Sequence, residues 1–251
     1  MNTLTPYDKQ GISVDCVVLG FDGESLKVLL TKRRDSQNSK ITVGDFKLPG
    51  SLVLHNETLE VAVERVLDKH LGVKQIYMRQ LEVFSNPKRI SQNEVSWINK
   101  YYSCDLERVI TVAYYSLVKL DKHLINTTLD RQGKWVNLDD IRNLALDHNL
   151  ILIKALSAIT SELQNEPIAF ELLPKEFTIR QLRTLYEAVL GIELDPRNFR
   201  KKILSSPYVV ATMKKESGVA HKPAIFYRFN KKQYLHETKQ RTKANFLNWN
   251  I

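Results

Sequence analysis

Two stretches of this chain contain residues whose types and spacing could do chemistry. In the first, over residues 48–73, Glu57 is followed eight positions later by Arg65. The second, over residues 197–202, is rich in Arg, Asn and Lys. Carboxylates at helical spacing would be ligands for a divalent metal, whereas Arg and Asn read base edges and Lys binds phosphate. The first stretch therefore suggests metal-dependent catalysis, and the second suggests nucleic-acid binding.

The first stretch resembles the Nudix box. That motif runs Gly, five residues, Glu, seven residues, and then Arg-Glu-apolar-x-Glu-Glu-x-Gly-apolar. Five residues of this chain fall in register with it, namely Glu57, Arg65, Leu67, Gly72 and Val73. The first Gly of the motif is replaced by Ser51, and the three glutamates after the Arg are replaced by Val66, Lys69 and His70.

These replacements argue against metal-dependent catalysis. The resemblance implies that the missing glutamates would bind a divalent metal and activate water. Val66 offers no ligand atom, Lys69 brings a positive charge, and His70 is a poor ligand for Mg²⁺, which prefers oxygen. The following polar stretch contains acids that could reach the site but cannot rebuild it alone, namely Glu94, Asp105 and Glu107. We therefore predict no catalytic residue, no metal site and no cofactor.

The retained motif residues also have purely structural interpretations. Glu57 can cap a helix, Arg65 can form a surface ion pair, and Gly72 can end the helix.

The elements around the first stretch alternate between strands and helices, which predicts an α+β module over residues 8–165. Strands are expected over 12–21, 26–32, 76–84 and 109–118. One helix is expected from an N-cap at Asn56 to Gly72, and another from Asp147 to about Leu163. Residues 85–108 are predicted to be a polar loop.

The remaining sequence has the order of a winged helix-turn-helix domain over residues 168–236, followed by a tail over 237–251. A capping box from Thr178 to Gln181 begins one helix, and Asp195-Pro196 begins a short basic helix. Two strand-like runs, 208–212 and 224–229, follow with a basic connection between them. In the basic helix, three residues are expected to face inward, namely Phe199, Ile203 and Leu204.

The net charge of +9 lies entirely in the last third of the chain. Residues 168–251 contain 16 Lys and Arg against 7 Asp and Glu, and the earlier residues balance. Such asymmetry suggests that one module binds a polyanion and the other does not. The alternative is a solvated basic surface.

Composition narrows the class further. With 251 residues, 43% hydrophobic and 26% charged, the chain is typical of a globular protein of one or two domains. Two cysteines, Cys16 and Cys104, cannot form a disulfide framework, and the N-terminus lacks the apolar run of a signal peptide. No apolar stretch reaches the roughly 18 residues that a membrane span needs. We therefore expect a cytoplasmic protein.

The two modules together resemble the Nudix-related transcriptional regulators. In the second module the resemblance rests on residues 170–178, 185–191, 195–202 and 221–229, and in the first on 14–21, 29–33 and 112–115. It covers about residues 10–235. It implies an α/β/α sandwich with a mixed sheet, acting as an inactive sensor domain before the winged helix.

The residue types and the resemblance together give the candidate site residues. The expected DNA-binding residues are Arg180, Gln181, Arg197, Asn198, Arg200, Lys201, Lys202, His221 and Lys222, and wing residues Lys214 and Lys215 can add contacts. The expected ligand-binding residues are Lys32, Arg33, Lys47, Phe84, Arg108 and Tyr114. The inserted stretch 86–107, with Trp97, Tyr101 and Tyr102, is longer than the family loop and could form part of a lid or a dimer contact.

We therefore predict a homodimeric, effector-responsive repressor that binds double-stranded operator DNA. Its effector is expected to be a sugar or an ADP-ribose-like nucleotide. Residues 76–80 and Phe84 look more like the branch that regulates sugar catabolism genes. Two alternatives remain: a divergent Nudix hydrolase that acts on a nucleoside diphosphate derivative such as ADP-ribose, and a scaffold without a small-molecule ligand.

Overall fold

A computed structural model of the protein describes residues 9–33, 46–73, 76, 78–165, 168–218 and 223–238. The chain divides into two compact units, with the main division between Ile168 and Ala169. Each unit has a sheet of its own. None of the helices in these described ranges has both the length and the apolar character that a membrane crossing requires.

The first unit is built on a mixed sheet, as predicted, which has seven strands among the described residues. The longest strands, β1 and β6, pair in parallel over their whole length, and the other pairs are antiparallel. The path is β3-β2-β1-β6-β5, while β4 pairs with β1 and β7 pairs with β2. The strands are β1 Gln10–Phe21, β2 Leu26–Lys32, β3 Phe46–Lys47, β4 Gly50–Leu52, β5 Arg79–Phe84, β6 Arg108–Lys119 and β7 Gly133–Asn137.

Helices cover both faces of this sheet. Successive side chains of β1 point to opposite faces, so β1 packs against a different helix on each side. Val14, Cys16 and Val18 pack with the buried stripe of α1, Leu59–Leu71. Asp15 points the other way, toward His148, the first residue of α4, His148–Asn165. The predicted α/β/α layering is confirmed.

Helix α1 carries the Nudix-like stretch. Its apolar residues recur at helical spacing and are buried as predicted, but its N-cap is Thr58 rather than Asn56. The Thr58 hydroxyl accepts from Val61 N, whereas the Glu57 carboxylate accepts from Leu54 N in the preceding loop. Gly72 ends the helix in the left-handed conformation, with φ of 68°.

Two further helices lie where the sequence analysis predicts none. The prediction of a loop over 85–108 is wrong, since α2 spans Gln92–Tyr102 and begins with a capping box between Ser91 and Glu94. Only Val95 and Ile98 of α2 are buried, so its apolar stripe is too narrow to stand out in a polar stretch. Helix α3, Lys122–Asp130, connects β6 to β7.

The second unit has the predicted winged-helix order. Its elements are β8 Phe177–Thr178, α5 Ile179–Leu190, α6 Pro196–Leu204, β9 Val209–Lys215, β10 Ile225–Phe229 and a helix α7 over residues 231–238. The sheet order is β8-β10-β9. The capping box from Thr178 to Gln181 and the cap at Asp195 are both present.

Aromatic packing fills the core of this unit. The ring of Phe170 contacts those of Phe177 and Phe229, and Tyr186 on α5 packs edge-on against Phe199 on α6. Phe199 is buried as expected. Leu204 is 39% exposed, so its predicted inward orientation is wrong. As the last residue of α6 it follows the half-buried Ile203 by one position, which rotates it about 100° around the helix.

An ion pair between Glu57 and Arg65 fastens the β4–α1 loop to the helix. Arg65 donates to both carboxylate oxygens of Glu57, to Ser51 Oγ at 3.1 Å and to Leu52 O at 3.0 Å. The Glu57 side chain is only 7% exposed. The hydrogen bond from Arg65 holds the pKa of Glu57 below its usual value.

This geometry predicts that Arg65→Ala destabilises the first unit by about 3 kcal/mol, because it leaves a buried carboxylate unpaired. The free energy of urea unfolding measures the loss. The matched control is Lys154→Ala, which removes a half-exposed pair with Glu82 at 3.5 Å and is expected to cost at most about 0.5 kcal/mol. Equal losses in the two variants would contradict the structural role of the Glu57–Arg65 pair.

Candidate functional site

The first unit contains a cleft of about 260 Å³ beside α1. Its walls come from the end of β2, the β3–β4 segment, one face of α1, the inserted helix α2 and the turn after α3. Its described lining residues are Thr31, Lys32, Lys47, Gly50, Ser51, Arg65, Val66, Lys69, His70, Trp97, Tyr101, Tyr102, Asp130, Arg131 and Gln132.

This lining is strongly cationic. Five Lys and Arg side chains and one histidine face a single carboxylate, that of Asp130, among the described lining residues. Burial lowers the pKa of Lys47, the Asp15 carboxylate raises it, and the ammonium group of Lys69 lowers it further. The charges of Lys47 and Lys69 are therefore close enough to repel each other, and an anion between them would relieve that repulsion.

The donor set of the cleft does not fit a divalent metal. Val66, Lys69 and His70 all line it, so the residues that replace the motif glutamates do face the cleft. Among the residues that the structure describes, no group of three or more His, Cys, Asp and Glu side chains could hold a metal ion.

The acids of the inserted stretch are engaged elsewhere. Glu94 closes the capping box of α2 and accepts from Leu146 N. Asp105 and Glu107 form ion pairs with Lys9 at 3.5 and 3.1 Å. None of these three carboxylates lines the cleft.

One wall of the cleft is aromatic. Trp97 and Tyr101 stack with ring centroids 5.5 Å apart and an interplanar angle of 21°, and Tyr102 packs edge-on against Tyr101. The guanidinium of Arg33 lies over the Trp97 ring, 4.1 Å from its centroid. The cleft thus offers positive charge on one side and flat π-surfaces on the other.

A small chamber of about 40 Å³ shares Lys47, Gly50, Ser51, Trp97 and Tyr102 with the cleft. Asp15 lies in it and is 6% exposed; burial raises the pKa of its carboxyl, against the opposing charges of Lys47 and Arg89. A Cβ at position 50 would lie 1.8 Å from Asp15 Oδ1, so only glycine lets the two strands approach here.

Arg89 joins this chamber to the start of α4. It makes a bidentate pair with Asp147 at 2.7 and 2.6 Å, and also donates to Thr111 Oγ1. The Arg89 and Asp147 side chains are 6% and 9% exposed. The charges of Asp15, Lys47, Arg89 and Asp147 therefore offset one another.

His148 completes this buried polar group as a neutral residue. Its Nδ1 accepts from Leu48 N at 2.9 Å, which assigns the ring proton to Nε2. Nε2 lies 3.6 Å from Asp15 Oδ2, beyond hydrogen-bond distance. Burial lowers the pKa of His148 to about 3.

The structure brings together only some of the predicted ligand residues. Lys32 and Lys47 line the cleft, and Arg33 lies against its aromatic wall. The other three predicted residues do not line it. Phe84 is buried beneath the Arg89 guanidinium, Arg108 donates to Ser85 O, and Tyr114 is part of the core beneath α1.

Helix α6 presents an open basic surface in the second unit. Arg197, Asn198, Lys201 and Lys202 are all exposed, and the structure describes no side-chain partner for them. Arg200 is also exposed, but its guanidinium donates to the hydroxyl of Tyr227 on β10 at 3.3 Å. Arg200 is thus directed toward the wing strands.

The other residues predicted to bind DNA differ in whether their side chains are exposed or bonded within the protein. Arg180 is exposed on α5, whereas the Gln181 side-chain oxygen caps that helix by accepting from Thr178 N at 2.9 Å. Lys214 on β9 pairs with Glu176 at 2.7 Å, while Lys215 is exposed. His221 and Lys222 lie outside the described residues.

Several residues of the cleft are not among those predicted from the sequence. Arg131 comes from the turn after α3 and donates to Asp68 O at the end of α1, a contact that only the tertiary fold creates. Trp97 and Tyr101 lie four residues apart, one helical turn, which could have identified their shared face had α2 been predicted.

Both units of this chain have counterparts in known proteins. Residues 169–229 match the family model described as the NrtR DNA-binding winged helix domain. A curated relative, the ADPR responsive transcriptional repressor NtrR of Acinetobacter baylyi, is 25% identical over 233 residues, which covers 91% of this chain and 85% of the relative. These matches give no support to the expected link with sugar catabolism.

Two solved structures have the same two-part fold. NrtR of Shewanella oneidensis, in complex with a 27mer DNA, matches with a TM-score of 0.65 and 23% identity over 88% of this chain and 94% of that one. A MutT/nudix family protein from Enterococcus faecalis matches with a TM-score of 0.58 and 23% identity over 91% of this chain and 94% of that one. Residues 169–229 therefore match an NrtR-type winged-helix domain, and the chain has the two-part fold of these solved structures.

Proposed function

We propose that this chain is a DNA-binding transcriptional repressor whose first unit binds an anionic effector of the ADP-ribose type without a metal ion. The observation that carries the regulatory role is the NrtR-type winged helix with the exposed basic face of α6. The cationic cleft carries the effector class.

The DNA-binding role rests on the types of residue whose side chains are exposed on α6. Arg197 and Asn198 can each make bidentate hydrogen bonds to a base edge, and the lysines that follow can bind phosphate. The net charge supports this role, because its surplus lies in the same part of the chain. Arg200 is better placed to join the helix to the wing than to read a base.

The effector role rests on the charge of the cleft. A nucleoside diphosphate derivative brings two negative charges, which would lie among Lys32, Lys69 and Arg131. Positive side chains at these positions supply the charge that Mg²⁺ would otherwise supply to a diphosphate. The Acinetobacter baylyi relative is described as ADPR responsive, which motivates ADP-ribose as the first ligand to test.

We further propose that the regulator acts as a homodimer and does not hydrolyse its effector. A two-fold dimer binds two inverted half-sites separated by whole turns of DNA. The absence of hydrolysis follows from the cleft's lack of clustered carboxylates among the described residues, since an oxygen-coordinated metal would have too few ligands.

The first experiment selects duplex DNA from a random library with the full-length protein and measures binding of the selected sequence. We expect an inverted repeat, and we expect Arg197→Ala to weaken binding by about tenfold or more, the effect of losing one bidentate base contact. Fluorescence anisotropy with labelled duplex gives the dissociation constants at a fixed salt concentration.

Arg142→Ala is the matched control, because it removes an exposed arginine from the first unit. It is expected to leave DNA affinity unchanged. If Arg197→Ala binds the selected duplex as tightly as the wild-type protein, the assignment of α6 is wrong. Failure to select any sequence would contradict the regulatory function itself.

The second experiment measures ADP-ribose binding by calorimetry in EDTA and in excess Mg²⁺. The wild-type protein is expected to bind equally well in both, because Lys69 and its neighbours carry the positive charge. Lys69→Glu should weaken binding by about tenfold or more, or about 1.4 kcal/mol, since it reverses one charge in the cleft.

Lys122→Glu makes the same charge change on the exposed surface of α3 and is the control for Lys69→Glu. It should leave ADP-ribose affinity within about twofold, since charges beyond a Debye length are screened. Binding that requires Mg²⁺, or release of AMP by the wild-type protein, would contradict the metal-free effector site and favour a hydrolase.

A further inference from the structure

The inserted helix α2 contributes an uncharged, aromatic surface to the cleft. Trp97 and Tyr101 both line the cleft and stack on each other, with centroids 5.5 Å apart. Tyr101 is 36% exposed, so part of this aromatic surface has no protein atoms against it. Exposed, stacked aromatic rings are the surfaces on which nucleobases bind.

We propose that the Trp97–Tyr101 pair is a stacking subsite for the planar base of the effector, beside the cations that bind its phosphates. This inference rests on the proposed effector binding and extends it to the non-phosphate part of the ligand. It also assigns a role to the inserted stretch: the aromatic wall on α2, formed by Trp97 and Tyr101, would favour effectors that carry a planar base.

Two observations indicate that the wall takes a flat polar ligand. The Arg33 guanidinium lies over the Trp97 ring, 4.1 Å from its centroid, so this ring already binds a planar polar group, which a base would replace. In addition, the indole Nε1 of Trp97 is buried and has no hydrogen-bond partner among the described residues. A buried donor of this kind is normally satisfied, and an acceptor atom of a bound ligand can satisfy it.

The wall is held in place by contacts on both sides of α2. Val95 and Ile98 are buried beneath the helix, and Glu94 near its start accepts from Leu146 N at 3.1 Å. Tyr102 near its end contacts Ser51 Oγ at 3.4 Å across the cleft. Because the rings are held by a fixed helix, little conformational entropy is lost when a base stacks on them.

The test compares ADP-ribose with inorganic pyrophosphate, which lacks a base, on the wild-type protein and three variants. Trp97→Leu and Tyr101→Leu should each weaken ADP-ribose binding by about tenfold, the equivalent of one base–aromatic stack. Both should leave pyrophosphate affinity unchanged. Trp97→Phe should retain ADP-ribose affinity within about threefold, because phenylalanine can still stack.

Fluorescence separates stacking from a general loss of structure. ADP-ribose should quench the tryptophan emission of the wild-type protein, and the quenching should disappear in Trp97→Phe. It should persist in Trp135→Phe, which removes an indole that is bonded to Thr128 outside the cleft. Tyr101→Leu is expected to fold even if Trp97→Leu does not, because Tyr101 is exposed and its loss leaves the core intact.

The outcomes separate this proposal from the proposed function. If ADP-ribose binds and neither leucine variant changes its affinity, the stacking subsite is wrong and the anion site stands. Equal weakening of ADP-ribose and pyrophosphate by Trp97→Leu and Tyr101→Leu also overturns the subsite. If neither ligand binds the wild-type protein, both the subsite and the proposed effector class are overturned.

Discussion

The ion pair between Glu57 and Arg65 determines which chemistry the first unit presents. By fixing the β4–α1 loop to α1, it sets the face of the helix that forms the cleft, so that Val66, Lys69 and His70 point into it. The pair is nearly buried on the Glu57 side, where an unpaired carboxylate would be costly. A loop and helix held in this way can keep their geometry while the side chains on the exposed face change from carboxylates to cations.

The small chamber has a different role from the cleft beside it. Arg89 and Asp147 satisfy each other, and the arginine also bonds to Thr111, so the inserted stretch is tied to β6 and to the residue before α4. Glu94 makes a second tie through Leu146 N. The charges around the chamber offset one another and hold elements together, whereas Lys32, Lys69 and Arg131 in the cleft form no ion pair among the described residues. Only the second arrangement favours an anionic ligand over solvent.

Local signals in the sequence were sufficient for most elements and for part of the site. The capping residues Thr178 and Asp195 and the helix stop at Gly72 all lie where their side chains or φ angles require. Helix α2 escaped prediction because only two of its residues are buried, and its contacts through Glu94 and Tyr102 are to residues distant in the sequence. For the same reason Arg131 could not be placed in the cleft from sequence, while Lys32 and Lys47, on strands beside the motif, could. Tyr114, also predicted to bind the ligand, lies where strand alternation directs it, in the core under α1.

The two anion sites that we propose, one in each unit, differ physically, and the difference matters for regulation. The surface of α6 is open, with side chains that can move to meet a long polyanion and whose attraction is screened by salt. The cleft is walled by α1 and α2, and it combines charge with stacking surfaces on a fixed framework. An effector can change DNA affinity only if it binds the DNA-bound and free states differently, and DNA then changes effector affinity by the same factor. A cleft with a rigid shape is sensitive to such a difference, because a small shift of α2 against α1 would cost both stacking and charge contacts at once. The aromatic wall therefore adds to affinity and also makes occupancy of the cleft dependent on conformation.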